Sequence, residues 1–130
     1  MSAIYFPLEM PMALESARSD LLSLAYRTDT FAADFSIPSD GSNVLRIRFG
    51  RQHIFRVLDE MPLSTEEPTR IGIIPNHLAY RIENALFWHS QSAAFRAIWP
   101  NARHYRFVTG GTCLDVIADD LPTISVCHLS

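Results

Sequence analysis

Residues 103–118 read RHYRFVTGGTCLDVIA, and the fold turns on where this stretch reverses direction. Gly110-Gly111 is a two-residue hairpin signal. Counting outward from it, Thr109 faces Thr112, Phe107 faces Leu114, Tyr105 faces Val116 and Arg106 faces Asp115. One face of the predicted hairpin is therefore apolar, and the other carries an opposite-charge pair. Both features follow from a single register, and a slip by one residue would destroy both.

Asp119-Asp120-Leu121-Pro122 follows as a turn into a last strand, Thr123 to Leu129. Working back toward the N-terminus, Ser90 or Ser92 can cap a short helix that runs through Ile98 and is stopped by Pro100. Leu78–Ile82 and Ala85–His89 read as a hairpin around Glu83-Asn84, which would set Tyr80 opposite Phe87. Residues 60–76 hold Pro62, Pro68 and Pro75 and show no period of either kind, so they read as a long irregular connection. Phe31, Ala33, Phe35 and Ile37 alternate, as do Leu45, Ile47 and Phe49, on either side of a turn cluster at 38–43. Gly50-Arg51-Gln52 turns the chain into a further strand at 53–59. From Met12 to about Arg27, Leu14, Ala17, Leu21, Leu22 and Ala25 recur at helical spacing, which predicts one long amphipathic helix. The expectation is a single α+β domain over residues 1–130. It is a curved antiparallel sheet of about seven hairpin-connected strands, with one long N-terminal helix and one short helix packed on it.

The 130 residues contain no lysine; all eleven basic side chains are arginine. That excludes Schiff-base and P-loop lysine chemistry and leaves planar, permanently charged forks suited to carboxylates and aromatic rings. The hydrophobic content of 48% supports a packed core. A net charge of −3 argues against a dedicated nucleic-acid binder. The N-terminal stretch lacks a basic region and is broken by Pro7 and Pro11, so it does not read as a signal peptide, and no apolar run reaches the length of a membrane span. With only Cys113 and Cys127, the expectation is a cytoplasmic protein with reduced thiols.

Histidines stand at 53, 77, 89, 104 and 128, with no spacing that marks a metal site, and no pattern calls for a cofactor. Gly110-Gly111 lacks the frame of a phosphate-binding loop. The nominated nucleophile–base pair is Cys113 with His104, although the register gives Asp115 to Arg106 and leaves Cys113 to behave as a small buried thiol. The charged segments are more suggestive. Arg46, Arg48 and Arg56, with His53 nearby, form an expected cationic strip on a sheet surface. Asp59, Glu60, Glu66 and Glu67 follow it as an acidic stretch, and together these residues are the expected partner-binding set.

The segments IRFGRQHIFRVLDEM and ARHYRFVTGGTCLDVIA, with the final TISV strand, resemble a pattern in small bacterial α+β proteins, some of them immunity proteins of toxin systems. The similarity covers Val44–Asp59 and Arg103–Val126. It implies a non-enzymatic domain and an immunity or antitoxin role, with a toxin as the partner. Two functions therefore stay open. One is a non-catalytic protein-binding domain with no membrane or nucleic-acid partner. The other is a small-molecule-binding or hydrolytic domain with a pocket between sheet and helix.

The register makes an energetic prediction. Phe107→Ala or Leu114→Ala should cost about 2–5 kcal/mol in urea denaturation, by opening a cavity in the core. A near-neutral result at either position would mean that the two faces of the hairpin are reversed.

Overall fold

Two sheets, rather than one sheet under a long helix, carry this chain. The computed structural model describes residues 2–129, and the side chain of His53 lies outside the described residues. The strands are β1 (Ala3–Pro7), β2 (Leu21–Arg27), β3 (Thr30–Ile37), β4 (Asp40–Phe49), β5 (Gln52–Asp59), β6 (Arg70–Ile71), β7 (Ala79–Glu83), β8 (Arg103–Phe107), β9 (Thr112–Ala118) and β10 (Thr123–His128). Three short helices, α1 (Glu60–Glu66), α2 (Leu86–His89) and α3 (Ala93–Ile98), and a 3₁₀ turn at Ser16–Arg18 complete the described elements. One sheet runs β5-β9-β8-β7-β1-β6, the other β10-β4-β3-β2. Every pairing is antiparallel except β1 with β6.

The β8–β9 register agrees with the count from Gly110-Gly111: Arg106 pairs with Asp115, Phe107 with Leu114 and Tyr105 with Val116. The reason for the glycines differs from a left-handed turn, since neither takes a positive φ. A Cβ on Gly110 would sit 2.0 Å from the Ala17 carbonyl oxygen, so the 3₁₀ turn packs directly onto this backbone. Phe107, Leu114, Tyr105 and Val116 face the four-stranded sheet, where Phe107 meets Phe35 (ring centroids 6.0 Å) and Tyr105 meets Phe49 (5.5 Å). The alternating apolar residues Phe31, Ala33, Phe35, Leu45, Ile47 and Phe49 supply the other half of this core.

The predicted N-terminal helix from Met12 to Arg27 is not there. Residues 21–27 form an edge strand whose register with β3 shifts between Leu21 and Ser23. That bulge takes Leu22 out of step, so Leu21 and Leu24 both pack against the core. Of the residues with helical spacing, Leu14 and Leu21 reach the core while Ala17, Leu22 and Ala25 are exposed, so the spacing does not mark one buried stripe. Leu14 is buried in the same core from a segment that is neither helix nor strand.

Other expectations change as well. Gly50-Arg51 carries the chain from one sheet to the other: β4 lies in the four-stranded sheet, and β5 pairs with β9. Residues 60–76 are not irregular throughout, because Glu60–Glu66 is helical, with Pro62 tolerated in its first turn. The hairpin expected around Glu83-Asn84 is absent. Asn84 takes a positive φ of 64° and leads into α2, so Tyr80 packs edge-on against Tyr5 (5.1 Å) rather than opposite Phe87. Ser92 does cap α3, accepting from the Phe95 amide at 3.0 Å. Helices α2 and α3 cover the face of the six-stranded sheet turned away from the core, through Phe87, Trp88, Phe95 and Trp99 against Ile54 and Ile117. Among the described residues, no helix is long and apolar enough to cross a membrane.

Gly110→Ala should destabilise the protein by about 1–3 kcal/mol, because the Ala17 carbonyl must give way. Gly41→Ala, where a Cβ meets nothing within 4 Å, should stay within about 0.5 kcal/mol of the parent. Thermal melts of the two variants compare them directly, and equal melting temperatures would refute the close packing of the 3₁₀ turn.

Candidate functional site

Alternation along β8 and β9 places His104, Arg106 and Asp115 on the face opposite the main core. Helices and loops cover that face, so all three side chains are fully buried. Arg106 Nε donates to Asp115 Oδ1 at 2.6 Å, and Arg106 Nη1 donates to Glu67 Oε1 at 2.6 Å and to the Tyr5 hydroxyl at 2.8 Å. That hydroxyl in turn donates to Glu67 Oε1 at 2.9 Å. Arg56, paired with Asp115 across β5 and β9, donates from Nε to Asp115 Oδ2 at 2.8 Å. Its two terminal nitrogens grip Glu66 at 2.7 and 3.0 Å, while its guanidinium lies 4.3 Å from the Phe87 ring centre.

His104 Nε2 lies 2.7 Å from Asp115 Oδ1. Burial lowers the His104 pKa by more than the bond to Asp115 raises it, so the ring is neutral with its proton on Nε2, donated to the carboxylate. Burial on its own would raise the Asp115 pKa, but the hydrogen bond from His104 and the bonds and charge of Arg106 outweigh it and hold the carboxyl far below its usual range. The network thus sets two guanidiniums, Arg56 and Arg106, against three carboxylates, Glu66, Glu67 and Asp115. Among the described residues, Glu67 Oε2 and His104 Nδ1 are buried without a hydrogen-bond partner.

This arrangement holds charge in place and offers little chemistry. Cys113 is fully buried, its Sγ lies 4.0 Å from the Thr109 carbonyl, and burial pushes its thiol pKa up. Cys113 pairs with Leu58 on one side, whereas His104 pairs with Ile117, about 13 Å further along β9 at strand rise. The two do not form a nucleophile–base pair. Among the described residues, no group of three or more His, Cys, Asp or Glu side chains is placed to hold a metal ion.

The expected partner-binding residues divide among three places. Arg56, Glu66 and Glu67 belong to the buried network. Asp59 and Glu60 open α1, where Asp59 is exposed and Glu60 lies 3.7 Å from Arg70. Arg46 and Arg48 stand on the outer face of the four-stranded sheet. Arg46 grips Asp34 with two bonds of 2.7 and 2.9 Å and is half-buried. Arg48 is exposed.

The pairing sets Thr123, Arg48, Ala32 and Ala25 in one row across the sheet, with Arg27 and Thr30 paired in the next. These residues line a shallow basin of about 420 Å³ whose floor is the two alanines. Neither Arg27 nor Arg48 meets an acidic partner among the described residues. Their Cα positions are roughly 12 Å apart from strand spacing and rise, so two arginine side chains can converge over that floor. Arg27 is missing from the sequence reading because it closes the predicted helix; the alternation of Ser23, Ala25 and Arg27 was the available signal. Comparison with known proteins returns no match among family models, curated proteins or solved structures.

Both shifted groups give stability the same pH dependence. The depressed pKa of His104 means that the unfolded chain binds a proton first, so stability falls as pH drops below the ordinary histidine value of 6.5. The depressed pKa of Asp115 extends the loss as pH falls below the ordinary carboxyl value of 3.8. His104→Gln should flatten the decline between about pH 6.5 and 5 in urea midpoints. Asp115→Ala, which strands two arginines, should cost about 3–5 kcal/mol. A cost below 1 kcal/mol would place the cluster in solvent.

Proposed function

We propose that this chain is a non-catalytic domain that binds another protein through the outer face of its four-stranded sheet. The carrying observation is that Arg27 and Arg48 stand exposed and, among the described residues, without acidic partners around a basin floored by alanine. Arginine is enriched at interface hot spots, and a free guanidinium pair beside small side chains leaves room for an incoming carboxylate. Arg46 contributes differently, because Asp34 already neutralises it through two hydrogen bonds.

Two further points support binding over catalysis. The acidic and basic groups on the other sheet are engaged with one another, and the nominated thiol is buried away from the histidine. The net charge of −3 favours a protein partner over a phosphate backbone. An immunity or antitoxin role, with a toxin as partner and action in the cytoplasm, is the particular form that the family resemblance implies. In that form the partner presents an acidic surface to the arginine basin.

Calorimetric titration against the proteins encoded by neighbouring genes tests this reading. One of them should bind, with affinity that falls as salt rises, and Arg27→Ser with Arg48→Ser should weaken binding at least about tenfold, or ~1.4 kcal/mol. Both positions are exposed, so the melting temperature should hold. If none of them binds and a small molecule raises the melting temperature instead, the protein-binding reading fails.

A further inference from the structure

We infer that β2 is a docking edge, to which an extended acidic segment of the partner adds as a fifth strand of the four-stranded sheet. The inference rests on the protein-binding reading and specifies how that surface is used. β2 is the terminal strand of its sheet. Among the described residues, the backbone hydrogen bonds of 21–27 run to β3, and none reaches β2 from its other side. Such an edge is a template for another strand unless it is blunted. The bulge at Leu22 blunts only its beginning, and Ser23 to Arg27 stay in regular register.

The side chains along this edge set the chemistry of the incoming strand. On the core side, Tyr26 is 61% exposed and lies 6.2 Å from the Phe55 ring at the rim of the core, while Leu22, at the bulge, is 51% exposed. An added strand would cover this apolar rim with every second side chain. On the outer side the edge presents Ser23, Ala25 and then Arg27, with Arg48 across the alanine floor. The small residues leave space, and the two guanidiniums, which have no acidic partner among the described residues, call for carboxylates. The matching segment therefore alternates apolar and acidic residues.

A second copy of this chain is a poor occupant. The outer side of its own β2 offers only Ser23, Ala25 and Arg27, so self-pairing brings another arginine and no carboxylate from the strand itself.

Amide hydrogen exchange on the full chain tests the inference, with a synthetic peptide of alternating glutamate and valine as the probe and its lysine–valine counterpart as the control. The glutamate peptide should slow exchange of the β2 amides that point away from β3 by about tenfold or more at saturation, and the lysine peptide should not. Arg27→Glu, an exposed change whose fold is checked by its melting temperature, should reverse this preference. Protection at β10 instead, protection of β2 that Arg27→Glu leaves unchanged, or β2 protection in peptide-free protein that grows with its own concentration would each overturn the inference. If the peptide protects nothing while the Arg27 and Arg48 variants still weaken binding of the whole partner, strand addition fails and the protein-binding face stands.

Discussion

Asp115 accepts hydrogen bonds from Arg106, Arg56 and His104 while itself fully buried. Few carboxylates are held by three donors at once, and the rest of the six-stranded sheet is organised around this one. Through Arg106 it reaches Glu67 and Tyr5 on β1, and through Arg56 it reaches Glu66 at the end of α1. Strands from both ends of the chain and the covering helix therefore meet at a single charged centre. Removing water from these groups costs several kcal/mol per ion, and the mutual hydrogen bonds offset that cost only while all partners remain. The network consequently fixes geometry more than it adds net stability. A partner displaced by a register slip would leave a bare charge in the interior.

That constraint divides the arginines into two populations. Arg56 and Arg106 are consumed by the network, and Arg46 by Asp34. Arg27 and Arg48 remain on the opposite side of the molecule, on an outer sheet face that also carries the Arg46–Asp34 pair and small residues such as Ser23, Ala25, Ala32 and Thr123. Charge that is locked inside and charge that is left outside do different physical work, although they are the same residue type. With lysine absent, nothing in the composition separates them. Only the sheet to which each strand belongs does so.

The sequence was legible where a local rule met a long-range one. Gly110-Gly111 set a register that both an apolar face and a charge pair had to satisfy, and the β8–β9 pairing follows it. The α3 cap, open between Ser90 and Ser92 in the sequence, falls to Ser92, and the alternation in β3 and β4 marks their core face. The N-terminal third misleads because Leu14, Ala17, Leu21, Leu22 and Ala25 have helical spacing without sharing a buried face: Leu22 sits at a bulge and Ala25 on the outer side of β2. The burial of Arg106 and Asp115 was also out of reach, since the face opposite the core looks solvent-exposed until α1, α2 and the segments around them cover it. Gly50-Arg51 has the composition of a turn, and nothing local distinguishes a hairpin from a passage between sheets. Of the site, Arg48 was legible as a surface arginine, whereas Arg27 became visible only once β2 was a strand.

The most direct measurement on the central claim is the nitrogen-15 NMR spectrum of the His104 ring as a function of pH. Asp115 at the centre of a buried, charged cluster requires a neutral imidazole with its proton on Nε2, held in a slowly exchanging hydrogen bond, and titrating only below the ordinary value of 6.5 while the protein stays folded. A ring that titrates at or above that value, or whose Nε2 proton exchanges as freely as that of an exposed histidine, would contradict the buried network and the fold organised around it.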